Sequence, residues 1–162
     1  MWLLFKLVRR RKPETILEFG SGCSTVVLGA AANQNGVGHV WSVEATQKWA
    51  DANRDALPAT IRECVTLVYT PAVEDDRDVP GWIHEDVPDV QPDFIYLDGP
   101  PLRPGLGRWV AFDVADLEAR FRPGFVMVVD GRKKNVDWLL ANLRRQYRYA
   151  ALHNHRSLFE LR

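Results

Sequence analysis

Five short segments of the chain carry apolar side chains at odd and even positions alike: Thr15 to Phe19, Gly38 to Val43, Val65 to Tyr69, Phe94 to Leu97 and Phe125 to Val129. A strand with one wet face alternates apolar and polar residues, whereas a strand covered on both faces does not have to. Longer segments of helical character separate these runs, at Thr25 to Asn33, Gln47 to Leu57, about Leu106 to Phe121 and Lys134 to Tyr147. That rhythm is α/β, and right-handed crossovers put the helices on both sides of a parallel sheet. After Tyr147 the rhythm changes. The runs YRYAALHNH and SLFELR, joined by the polar turn His153-Asn154-His155, read as an antiparallel pair at the sheet edge. The expected fold is a doubly wound, mostly parallel seven-stranded sheet with an antiparallel C-terminal strand pair.

A chain of 162 residues with 46% apolar residues has enough material for one core, and no repeat, low-complexity tract or linker divides it. Residues 1–162 are therefore expected to form a single domain, opened by a short helix over residues 1–13. In that helix Leu3, Leu4, Leu7 and Val8 share a face and are expected to pack on the sheet. A membrane-surface anchor built on Arg9, Arg10, Arg11 and Lys12 is the less favoured reading. The acidic, proline-broken segment Glu74 to Gln91 reads as a loop or a poor helix.

Charge narrows the function classes. Lys plus Arg and Asp plus Glu both number 21, so no net field draws the chain to nucleic acid or to an anionic membrane. Cys23 and Cys64 form no close-spaced ligand pair, which argues against structural zinc and for a reducing, cytoplasmic setting.

The first apolar run leads into a glycine-rich turn, ILEFGSGCST from Ile16 to Thr25. Glycines there let the backbone bend tightly and let a ligand approach, while the next helix presents free N–H groups. A dinucleotide fingerprint needs a third glycine where Thr25 stands, and a phosphate-cradling P-loop needs a lysine that is missing. What remains is an acid, Glu18, two residues before Gly20, then Ser21 and Gly22, with a second acid, Glu44, at the end of the next strand.

This acid-x-Gly-x-Gly turn, with the strand pattern and the antiparallel tail, resembles the class I S-adenosylmethionine-dependent methyltransferases over nearly the whole chain. The resemblance implies a cofactor site of Glu18, Gly20, Ser21, Gly22, Ser24, Glu44 and Ala45 for S-adenosylmethionine, with Glu44 accepting both ribose hydroxyls and Ser24 capping the helix after the turn. Family members often carry an acid after the third strand for the adenine amine; Pro71 stands near that place here. The N–H groups of Ala72 and Val73, or the side chains of Glu74 or Asp75, are the expected substitutes.

In a doubly wound sheet the ligand crevice lies at the carboxyl ends of the strands flanking the switch in strand order. The fourth run ends there in FIYLDGPP, which puts Asp98 against the cofactor as a catalytic base, a metal ligand or a partner for the ammonium group. A simple turn before two prolines is the structural alternative. Asp130 ends the fifth run, so Asp98 and Asp130 are the candidate ligands if the enzyme is metal-dependent. Mg²⁺ or Mn²⁺ is not the favoured expectation, because Gly131 stands where metal-dependent O-methyltransferases usually carry Asn. The DGP…PGR spacing from Asp98 onward also looks like that of polysaccharide O-methyltransferases.

Arg103, Arg108, Arg132, Lys133 and Lys134 fall near the same rim and suit an anionic acceptor, although solvated loop charge is the simpler account. His153 and His155 are expected far from the crevice, and His84 is kept as a catalytic candidate. Trp41, Trp49, Trp109 and Trp138 are expected in packing roles, with Trp82 as a lid or a local anchor. The reading is methyl transfer from S-adenosylmethionine to an oxygen nucleophile of a small molecule or saccharide. A non-catalytic S-adenosylmethionine or S-adenosylhomocysteine binding module and an aminopropyl transferase are the alternatives.

Overall fold

The computed structural model describes residues 1–101, 107–153 and 155–162. The five apolar runs become parallel strands: β1 (Thr15–Phe19), β2 (His39–Glu44), β3 (Val65–Tyr69), β6 (Phe94–Leu97) and β8 (Val126–Asp130). With the antiparallel pair β9 (Tyr147–Ala151) and β10 (Arg156–Leu161) they form a seven-stranded sheet of order β3-β2-β1-β6-β8-β10-β9. The order reverses between β1 and β6, and this switch opens a crevice at their carboxyl ends.

Residue parity along each strand splits the core in two. Ile16, Val40, Phe94, Tyr96, Val126 and Val128 face α1 (Trp2–Arg11) and α2 (Cys23–Asn35). Leu17, Phe19, Ile95, Leu97, Met127 and Val129 face the opposite way and pack with Phe159, Val136 and Leu139, the last two from α5 (Lys133–Asn142). Both faces of the parallel strands are covered, which is why their sequences do not alternate.

The N-terminal helix buries Leu4 and Val8. Part of its basic end is spent on protein partners, Arg9 on Asn35 at 2.6 Å and Arg11 on Glu160 at 2.7 Å. No helix among the described residues is long and apolar enough to cross a membrane.

Three expectations are corrected. Residues 74–91 are not a loop or poor helix throughout: β4 (Ala72–Asp76) and β5 (Pro80–His84) form an antiparallel hairpin. The acidic run is ordered by cations, with Arg77 bridging Asp75 and Asp116, and Arg108 bridging Glu74 and Asp76. The helix expected over Leu106 to Phe121 is, in its described part, β7 (Val110–Ala111), the short α4 (Asp113–Asp116) and a 3-10 turn (Glu118–Arg120). Here β7 completes a three-stranded sheet, β4-β5-β7, and Asn135 brackets Ala111 by accepting its N–H at 2.9 Å and donating to its carbonyl at 3.3 Å. Finally, α5 stops at Asn142, because the buried Glu118 carboxylate accepts the N–H groups of Arg144 and Arg145 and turns the chain toward β9.

Candidate active site at the carboxyl edge of the sheet

The glycine turn after β1, the end of β2, the start of α3 (Gln47–Ala56) and the turn after β6 enclose a cavity of about 430 Å³. Larger grooves of about 650 and 670 Å³ lie along the β9–β10 hairpin and beside α5. The smaller cavity is the one that joins a helix N-terminus, open backbone and two carboxylates, Glu44 and Asp98.

Gly20 adopts φ +94° and donates its N–H to Val43 at 2.8 Å, tying the turn to β2. Glu44 is 6% exposed at the cavity wall. Its Oε2 accepts the Ser21 hydroxyl at 2.8 Å and the Ser21 N–H at 3.2 Å, while Oε1 accepts the Thr46 N–H at 2.9 Å. Asn53 donates to the Ser21 hydroxyl at 2.8 Å, so α3 is joined to the glycine turn through one serine. Ala45 lies half-buried in the bend between Glu44 and α3.

Glu18 departs from expectation. It is fully buried and points to the α2 side of the sheet, away from the cavity lining, because it shares the parity of Ile16. Its Oε2 accepts the hydroxyls of Thr25 and Ser42, each at 2.6 Å, and its Oε1 has no hydrogen-bond partner among the described residues. Burial raises its pKa to about 7, against the stabilising hydroxyls of Ser24, Ser42 and Thr25, and the charge of Asp98 adds to the rise. Glu18 thus braces the turn from below. Ser24 does not cap the helix either. It lies buried within the first turn, and Thr25 Oγ1 instead accepts the Gly22 N–H at 2.9 Å.

The residues expected at the adenine are also drawn elsewhere. Ala72 and Val73 pair with His84 and Ile83 in the small sheet, Glu74 pairs with Arg108, and Asp75 pairs with Arg77. The cavity wall instead carries Trp49, expected as a packing residue but 59% exposed.

Asp98 is exposed at the cavity, with its N–H donated to Phe19 at 2.9 Å. Partial desolvation raises its pKa, the nearby Asp130 raises it further, and Arg132 and Arg156 oppose the rise. The turn that carries it is fastened from inside. Arg132, 4% exposed, donates to the carbonyl of Asp98 at 3.0 Å and to that of Pro100. Burial lowers the guanidinium pKa to about 10, with Asp98 and Asp113 holding it up.

Asp130 is committed elsewhere. It accepts the Tyr96 hydroxyl at 2.5 Å and Arg156 Nε at 2.8 Å, and burial followed by this bond pushes the Tyr96 phenol far up. A carboxylate paired with a guanidinium is a poor ligand for a hard cation. No group of three His, Cys, Asp or Glu residues with metal-site geometry occurs among the described residues.

The expected basic rim is largely spent. Arg108 serves the small sheet, Lys134 lies 4.1 Å from the Trp109 ring, and Lys133 pairs with Asp137 at 2.8 Å; Arg103 lies outside the described residues. His84 is buried against Asp113, with Nδ1 at 3.1 Å and its backbone N–H at 2.8 Å from Oδ1, and does not line the cavity. His153 and His155, expected far from the crevice, do not line it and instead line the separate groove of about 650 Å³ along the hairpin. Arg156 of β10 pairs with Asp130 at the carboxyl end of β8, and Gly131 donates to the His155 carbonyl at 3.1 Å. Antiparallel pairing brings that turn back to the carboxyl edge of the sheet.

Sequence reasoning missed Arg132 as a fastener and Trp49 and Asn53 as wall residues. Trp49 and Asn53 lie four apart on α3, hence on one helix face, which was the available signal.

No curated protein matches the sequence. Among solved structures, the O-methyltransferase TomG from Streptomyces achromogenes, involved in tomaymycin synthesis and in complex with S-adenosylmethionine, superimposes with TM-score 0.61 at 17% identity, over 98% of this chain and 78% of that one. An O-methyltransferase from Bacillus cereus in complex with S-adenosylhomocysteine gives TM-score 0.59 at 16% identity, over 98% and 79%. A methyltransferase from Geobacter sulfurreducens gives 0.59 at 15% identity, over 99% and 78%. These likenesses establish the Rossmann-like methyltransferase fold. Residues 17–131, from the middle of β1 to just past β8, match the family model described as a methyltransferase domain, and the chain belongs to that family.

Proposed function

We propose that the protein transfers a methyl group from S-adenosylmethionine to an oxygen nucleophile of a small molecule. The observation that carries this reading is Glu44, a nearly buried carboxylate that lines a cavity together with the open glycine turn to which Ser21 ties it. A ribose diol matches such a carboxylate, and a methionine carboxylate matches the N–H groups at the start of α2. The residues present therefore fit the cofactor, held by Gly20, Ser21, Gly22 and Glu44. When bound, it supplies an electrophilic sulfonium methyl.

The chain's own part is to orient and to accept a proton. Holding donor and acceptor in line supplies much of the rate. Asp98, raised in pKa at the cavity, is placed to take the proton that the acceptor oxygen gives up as it is methylated. Arg132 keeps the turn that bears it in place. For the acceptor we favour a polar molecule, a saccharide or an anion such as a uronate. His153, His155 and Ser157 line the groove of about 650 Å³ beside Gly131 at the same edge of the sheet, which supports a polar acceptor.

Isothermal titration with S-adenosylmethionine and S-adenosylhomocysteine, with NAD as the control, tests the cofactor. Micromolar binding of the first two and silence for NAD is expected. NAD binding, or none for all three, would overturn the reading.

A further inference from the structure

We infer that Trp49 is the platform on which the purine of the cofactor stacks, so that base recognition has moved from the segment after β3 to the first turn of α3. The inference rests on the S-adenosyl cofactor proposed above. Two observations meet here.

The segment after β3 is engaged in the fold. Thr70 donates its N–H to the Glu44 carbonyl at 3.0 Å and accepts the N–H of Asp86 at 2.9 Å through its hydroxyl. Pro71 has no N–H and accepts that of Glu85 at 3.0 Å, and Ala72 and Val73 pair with β5. Glu74 and Asp76 are held by Arg108, and Asp75 by Arg77. Neither Ala72 nor Val73 lines the cavity.

The wall on the α3 side is apolar and open. Trp49 leaves 59% of its surface in solvent although it borders a cavity shared with Glu44 and Asn53. An indole left half in water gains most from a flat apolar surface laid against it, and a purine is such a surface with a π-face. A ribose bound by Glu44 places its base within the same cavity neighbourhood. Asn53, on the same face of α3, positions Ser21 against Glu44, so one helix face serves both sugar and base.

The test is titration with S-adenosylhomocysteine, followed by calorimetry and by tryptophan fluorescence. Stacking on the indole is expected to quench the wild-type emission. Trp49→Ala is expected to weaken binding about tenfold or more, Trp49→Phe to bind nearly as wild type without the quench. Adenosine as a second probe should show the same loss in Trp49→Ala, because it carries the base without the methionine. Because Trp49 is exposed, thermal melts of the variants should match wild type. Trp49→Ala binding within twofold of wild type would overturn the platform and leave the cofactor reading standing. Wild-type protein silent to S-adenosylhomocysteine would overturn both.

Discussion

Gly20 and Gly99 meet backbone to backbone where the switch between β1 and β6 opens the crevice. A Cβ on Gly20 would lie 2.7 Å from the Gly99 nitrogen, and one on Gly99 would lie 2.5 Å from the Gly20 nitrogen. The two turns that border the cavity can therefore sit side by side only without side chains. Gly20 also needs its positive φ. Gly20→Ala and Gly99→Ala should each cost about 2 kcal/mol or more, since rigid backbone, not a flexible side chain, is in the way. Urea denaturation measures this; midpoints equal to wild type would show that the turns separate freely.

Glu44→Ala should weaken S-adenosylmethionine binding about a hundredfold. Two hydrogen bonds to a charged acceptor contribute roughly 1.5–3 kcal/mol each before rearrangement. The same change releases Ser21 and the Thr46 N–H, so a stability loss of about 1 kcal/mol accompanies it. Unchanged affinity by calorimetry would put the ribose somewhere else.

Glu18 makes stability depend on pH. Its folded pKa is raised from 4.5 to about 7 by burial, so between these values the folded state keeps a proton that the unfolded chain has lost. Stability from this group is full below about pH 4.5 and declines as pH rises toward 7, on the order of 3 kcal/mol in all. Glu18→Gln keeps an acceptor for Thr25 and Ser42 and removes the titration, so its stability should stay flatter across that window. Urea midpoints from pH 4.5 to 8 decide the matter; parallel curves for the two proteins would assign Glu18 an ordinary pKa.

Asp98→Asn should lower kcat about a hundredfold, within the range for loss of a general base, and leave cofactor affinity within a few fold. Arg132→Lys acts one step removed. Both carbonyl contacts come from the far guanidinium nitrogen Nη2, which the shorter, unforked lysine stem does not reach in the same place, so the turn loosens, and kcat should fall with the pH profile unshifted. An Asp98→Asn enzyme with wild-type kcat would leave positioning as the whole source of rate.

The strands were legible because a doubly covered strand leaves a pattern that needs no partner to read. Val65 to Tyr69 and Phe94 to Leu97 match their expected ends, and β1 does as well. The hairpin β4–β5 was hidden because its order depends on Arg77 and Arg108 meeting acids on β4 and on α4, which no local window displays. At the site, the glycines and Glu44 were readable from the turn and the strand end. Glu18 was misassigned because its orientation follows from strand parity and the position of α2, and Trp49 was misassigned because exposure is not written in residue type.

By itself the sequence determined the α/β order of elements, the antiparallel tail and the turn around which a cofactor can be held, since these rest on short-range periodicity and on glycine's freedom. Only the tertiary structure decided which carboxylate faces the cavity and which braces it, that Asp130 belongs to Arg156 and Tyr96, and that β10 begins at the carboxyl edge of the sheet. Those outcomes depend on which distant groups share a buried volume, where each charge must find a partner to offset the loss of water.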